Sequence, residues 1–218
     1  MAEYSKQVSD VSRRCNGLLL AAMTAALLVA GCASAPPPPP EPAATIAVQE
    51  DVGFSITEEV AVADQVRFDY DNALRLLEQG MVDEGISALT AVTEAAPELA
   101  APRIDLGVAY HVAGDLEAAE THLRKAIELN PEHPIAHTEL GIVHRKAGRF
   151  DDARQSYEAA IDIFPGYHYA RRNLAILCDL YLSDLDCALE NYEAYMNTVP
   201  GDDEVEMWLA DVRYRIGQ

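Results

Sequence analysis

Residues 100–133 read AAPRIDLGVAYHVAGDLEAAETHLRKAIELNPEH, and residues 134–167 read PIAHTELGIVHRKAGRFDDARQSYEAAIDIFPGY. Laid over one another at a step of 34 residues, Leu106-Gly107, Tyr110, Gly114, Ala119, Leu123, Ala126-Ile127 and Pro131 fall on Leu140-Gly141, His144, Gly148, Ala153, Tyr157, Ala160-Ile161 and Pro165. Each copy carries two apolar-periodic stretches, with a glycine between them and a proline after the second. A unit of this size is a pair of helices that cannot bury its apolar face alone and gains stability by stacking.

One step toward the N-terminus finds Asn72-Ala73, Leu76, Gly80, Gly85, Leu89, Val92 and Pro97. One step toward the C-terminus finds Leu174-Ala175 and Cys178 and then, after one inserted residue, Ala188, Tyr192, Tyr195 and Pro200. The spacing therefore predicts four copies, over 66–99, 100–133, 134–167 and 168–202, closed by an amphipathic helix over 203–216. Met207, Trp208, Val212 and Ile216 of that last helix are expected to cover the fourth copy. Gly107, Gly141 and Ala175 on the first helices face Ala119, Ala153 and Ala188 on the second and permit close approach, while Leu123, Tyr157 and Tyr192 wedge between units. Gly80, Gly114 and Gly148 end the first helices, and Pro97, Pro131, Pro165 and Pro200 stop the second.

Across roughly 150 of the 218 positions these residues resemble the tetratricopeptide repeat family. The resemblance implies an all-α solenoid (residues 66–218) whose first helices line a concave protein-binding groove. In this register the groove is expected to hold Tyr70, Leu74 and Leu77 from the first copy and Ile104, Val108, His111 and Val112 from the second. Ile135, Ile142, Arg145 and Lys146 come from the third copy, and Tyr169, Arg172, Ile176 and Leu180 from the fourth. Arg145, Lys146, Arg171 and Arg172 form a basic island suited to a partner's carboxylates or C-terminus. The carboxylate-clamp pattern of chaperone-binding relatives is not matched, since Tyr70 and Leu74 stand where Lys and Asn are needed.

Ahead of the repeats the chain has a different character. Lys6, Arg13 and Arg14 precede an apolar run from Leu18 to Ala30, too short for a comfortable bilayer span and suited to a secretory signal over residues 1–31. Asn16 stands where a twin-arginine signal wants a bulky apolar residue, which favours general secretion. The run ends in Leu28-Val29-Ala30-Gly31-Cys32, which resembles the bacterial lipobox and implies cleavage before an acylated, palmitate-bearing Cys32. Ala33 and Ser34, with no Asp, resemble outer-membrane sorting, so the expected location is the outer membrane, facing the periplasm. Residues 32–65 are a tether: six prolines within Pro36–Pro42 favour a stiff polyproline II spacer, and an extended stretch follows. Phe54 and Ile56 of that stretch are apolar enough to dock on the groove or the first copy.

Acidic residues outnumber basic ones 36 to 16, which argues against a nucleic-acid partner. Cys178 and Cys187 flank the turn of the fourth hairpin, where an oxidising compartment favours a disulfide over two small packing residues. His133, His137 and His144 invite a metal, but no cysteine or nearby carboxylate completes a ligand set, so no metal or other cofactor is expected. No nucleophile elbow, phosphate loop or zinc-protease helix occurs, and the pairs Glu58-Glu59, Asp151-Asp152 and Asp202-Asp203 sit where helix starts and loops explain them. The expected function is non-enzymatic: an adaptor tethered to the membrane by lipid, serving a protein complex of the envelope. TonB-type energy transduction is favoured over pilus or secretion assembly. A metal- or ligand-handling protein using His137 and His144, or a regulator of peptidoglycan enzymes, stands as the alternative.

Overall fold

In the computed structural model, residues 62–217 are described in full, along with the backbone of residues 45–49 and 53–57. The chain divides into two units, residues 1–59 and 60–218. In the first, β1 (Thr45–Gln49) and β2 (Gly53–Thr57) pair antiparallel, with Thr45 opposite Thr57, Ile46 opposite Ile56 and Val48 opposite Phe54. The stretch read as extended thus forms a ladder with itself. Apolar residues at every second position, Ile46 and Val48 against Phe54 and Ile56, are the hairpin pattern, and three residues separate the strands. The expected docking of Phe54 and Ile56 concerns side chains outside the described residues.

The second unit is the expected all-α repeat array. Its helices are α1 (Asp64–Glu78), α2 (Val82–Ala95), α3 (Ala101–Ala113), α4 (Leu116–Leu129), α5 (Pro134–Lys146), α6 (Phe150–Ile163), α7 (His168–Leu177), α8 (Leu185–Thr198) and α9 (Asp203–Arg215). Each odd-numbered helix through α7 packs on the helix that follows it as a hairpin, and each hairpin packs on the next. Asp115, Asp184 and Asp202 cap α4, α8 and α9 by accepting from the backbone N–H groups of Ala118, Cys187 and Val205. None of these helices is long and apolar enough to cross a membrane.

Close approach within a hairpin depends on missing side chains. A Cβ on Gly141 would lie 2.5 Å from the Tyr157 ring, and one on Gly107 would lie 2.5 Å from Leu123 Cγ. Leu123 and Tyr157 are fully buried, as is Leu89 in the first hairpin. At about 1.5–3 kcal/mol per large apolar side chain removed from water, each wedge stabilises its hairpin, and Leu89 also clusters with Leu106 of the next copy.

The inserted residue of the fourth copy has a visible place. At Gly80, Gly114 and Gly148 the first helix ends in a left-handed residue, and the very next N–H reaches back five positions, as from Asp115 to the Tyr110 carbonyl. After α7 the chain makes one wider π turn over Cys178–Leu182, Ser183 takes the left-handed conformation (φ 55°), and Asp184 N–H reaches back six positions to the Cys178 carbonyl. The extra residue is absorbed there, so α8 keeps its register. At the C-terminus, α9 buries Val205, Leu209 and Val212, one helical stripe, whereas Met207 is 64% exposed. Met207 was expected on the covering face, but it lies two residues beyond Val205, some 200° around the helix from the stripe.

Candidate functional site

First helices touch one another directly, α3 against α5 and α5 against α7, and the second helices have no contact of comparable extent. That asymmetry curves the stack toward the first-helix face and makes it a groove. Leu74, Val108, Ile142 and Ile176 recur at 34-residue intervals along its floor, each half-buried. Val112 and Leu180 stand at the rim, and Leu180 is 67% exposed. Tyr70 and Leu77 pack partly against the core formed by Ala73, Leu89 and Leu106. Ile104 and Ile135 are buried, so their contribution is to the packing beneath the floor.

The three arginines of the basic island are engaged by the protein's own groups. Arg145 donates from Nε to the Tyr157 hydroxyl at 3.4 Å, and its guanidinium lies 5.9 Å from the Tyr181 ring centre. Arg172 pairs with Glu204 at 3.1 Å and lies over the Trp208 ring, and Arg171 donates to Asn191 Oδ1 at 3.0 Å. Lys146 is exposed and His111 half-buried. Burial, then the charges of Lys146 and Arg145, hold the His111 imidazole below its usual pKa.

A second row was not singled out from the sequence. Asp71, Asp105, Glu139 and Asn173 occupy the same place in successive copies, three residues before the aliphatic row. Asp105 is 3% exposed and accepts a hydrogen bond from the Tyr70 hydroxyl. Glu139 is half-buried, and burial, reinforced by the charge of Asp105, pushes its carboxyl up to about 7. Burial also raises the hydroxyl pKa of Tyr167, followed by the charge of Glu139. Tyr169 lies beside Tyr167, with ring centres 5.9 Å apart. The 34-residue shift carries this row as plainly as it carries the glycines, but carboxylates on amphipathic helices were read as solvated faces.

Where α4 meets α5 and the turn after it, the same chemistry has the opposite outcome. Glu120 on α4 meets Arg149 at 2.5 Å, Arg124 at 2.8 Å and His144 at 3.4 Å, and the Arg149 hydrogen bond is the largest cause of a carboxyl pKa lowered to about 2. His144 also sits 3.2 Å from Ser156 Oγ. The buried His133 accepts from Ala136 N–H as the cap of α5, a role for a neutral ring, and burial lowers its pKa to about 4. His137 contacts the Pro131 carbonyl. These histidines are thus engaged separately. Among the described residues the one trio with metal-ligand proximity is Cys178, Asp184 and Cys187, and its two sulfurs are bonded to each other. That disulfide, 2.06 Å long, ties the π turn after α7 to the start of α8. Asp151 lies in the first turn of α6, with Asp152 beside it, and Asp202 caps α9. Cys32, the leader, the proline tract and Glu58-Glu59 lie outside the described residues.

The sequence profile described as Tetratricopeptide repeat matches residues 70–129 and 105–168. No curated protein matches the chain. Among solved structures, MamA from Desulfovibrio magneticus RS-1 is 22% identical with a TM-score of 0.62, over 71% of this chain and 87% of that one. The structure described as a functional characterization of Pseudomonas aeruginosa pilF is 21% identical, with a TM-score of 0.64 over 70% of this chain and 69% of that one. The first repeat domain of Spaghetti (RPAP3), bound to an HSP90 peptide, is 18% identical with a TM-score of 0.52, over 55% of this chain and 96% of that one.

Proposed function

From the premise that this chain is a tetratricopeptide-repeat protein, and so an interaction scaffold, we propose that it is a non-catalytic adaptor of the bacterial cell envelope, held to the outer membrane by acylated Cys32 and facing the periplasm. The observation that carries the binding role is the half-exposed aliphatic row Leu74, Val108, Ile142 and Ile176, continuous across four repeats on a face curved toward it. An apolar stripe of that length is a protein-contact surface. The charged flank, the apolar run and the small residues before Cys32 support the anchor, and the proline tract supplies reach from the membrane. The Cys178–Cys187 bond suits an oxidising compartment. The partner is a protein of an envelope complex, in the class that includes TonB-type energy transduction and pilus or secretion assembly.

Two measurements test this. Labelled palmitate is expected on the full chain and absent from Cys32→Ser, and that variant is expected to move from the membrane to the soluble fraction; membrane retention without acylation refutes the anchor. Photoreactive residues at Val108 and Ile142 are expected to capture a defined envelope protein, whereas probes at Thr121 and Glu158, exposed on second helices, are not. Equal capture from both faces refutes the groove.

A further inference from the structure

On the reading that the first-helix face binds protein, we infer that its occupant is an extended segment in which a Lys or Arg side chain stands among aliphatic ones, the cation received by Glu139 and the aliphatics by Val108 and Ile142.

The placement comes from helix geometry. Residues three apart share a face, so α5 offers a carboxylate and an aliphatic side chain together, Glu139 with Ile142, whereas on α3 the corresponding Asp105 is buried and held by the Tyr70 hydroxyl and Val108 alone faces the groove. Packed helices lie about 8–10 Å apart, close to three residues of an extended chain at about 3.3 Å each. A segment with an aliphatic at every third residue therefore meets one aliphatic of the row per repeat, and a cation beside one of them meets Glu139.

Charge decides the sign of the occupant. An ionised carboxylate in a half-buried floor beside a second carboxylate is costly until a cation arrives, and none of the ion pairs among the described residues engages Glu139. An acidic segment would meet Glu139 directly, and Arg145 and Arg172, the groove's guanidinium groups nearest that role, already hold Tyr157 and Glu204. The chain's own tether is mismatched: residues 33–63 contain Glu41, Glu50, Asp51, Glu58 and Glu59 and no Lys, Arg or His. A second copy, at net charge −20, is repelled.

The test uses the full chain and two fluorescent twelve-residue peptides, four repeats of Lys-Leu-Ser and four of Glu-Leu-Ser, at physiological salt. The lysine peptide is expected to bind at least tenfold more tightly than the glutamate peptide. Glu139→Gln, whose folding is verified by its melting curve, is expected to weaken the lysine peptide at least tenfold. Glu158→Gln, an equal charge change on an exposed second-helix position, is expected to leave it unchanged. Affinity is also expected to tighten between pH 6 and 8 in the parent and not in Glu139→Gln. The titratable groups bearing on Glu139 are Asp105 on α3, Tyr157 on α6 and Tyr167 ahead of α7, and burial holds both tyrosine hydroxyls above that window. Equal losses from Glu139→Gln and Glu158→Gln, or no preference between peptides, overturn the inference. If both peptides crosslink equally from a photoreactive residue at Ile142, the cation selectivity falls and the groove stands. If neither crosslinks there, the groove reading falls as well.

Discussion

Glu120 and Glu139 sit in neighbouring copies of the repeat, and their surroundings drive them in opposite directions. Glu120, where α4 meets the turn before α6, is gripped by Arg149 and Arg124 and held at about 2. Glu139, on the groove floor, faces Asp105 and is pushed up to about 7. A carboxylate whose cation is built in stabilises the joint between repeats. One whose cation is missing lowers stability and keeps an attraction in reserve for something outside the unit. On the proposed reading, the two faces of the array divide the work between cohesion and recognition.

The largest effect expected is on packing. Tyr157→Ala removes a fully buried wedge and should cost about 3–5 kcal/mol of unfolding free energy, against about 1 kcal/mol for Ile142→Ala on the half-exposed floor. Denaturant titrations giving equal losses would erase the distinction between joint and groove.

Next comes Glu120→Gln. Because the folded-state pKa lies below the unfolded one, the stabilisation is present above about pH 4.5 and is lost as pH falls toward 2. The substitution should cost up to about 3 kcal/mol at pH 7 and little at pH 2. Glu139→Gln should show the reverse sign. Its folded-state pKa is raised, so the ionised form subtracts stability as pH rises from about 4.5 through 7. The glutamine variant should melt higher than the parent at pH 8, by an amount worth up to about 2 kcal/mol, and match it at pH 4. Parallel pH profiles for the two variants would show that the joint and the floor do not differ. The smallest stability change belongs to Val112→Ser at the exposed rim, within about 0.5 kcal/mol by thermal melting.

Much of the architecture was legible because repetition multiplies weak signals. Glycine, alanine and proline each mean little once, but recurring at a step of 34 they define helix ends and close contacts, and the all-α array follows. The groove's aliphatic row was legible for the same reason. Its acidic row escaped, since an Asp or Glu on an amphipathic helix is usually solvated and only burial shows otherwise. The basic island looked available because a sequence does not display that Trp208 and Glu204, more than thirty residues away, lie against Arg172.

What the sequence alone determined is periodic and local: hairpin length, the breakers, the wedge positions and the one-residue insertion of the fourth copy. The tertiary structure decided where that insertion is absorbed, in the π turn ahead of Ser183, and which stripe of α9 covers the array. It also decided which carboxylates have cations. The reason is physical: helix propensity and spacing act within a few residues, whereas a charge's energy depends on solvent exclusion and on neighbours that only folding brings together.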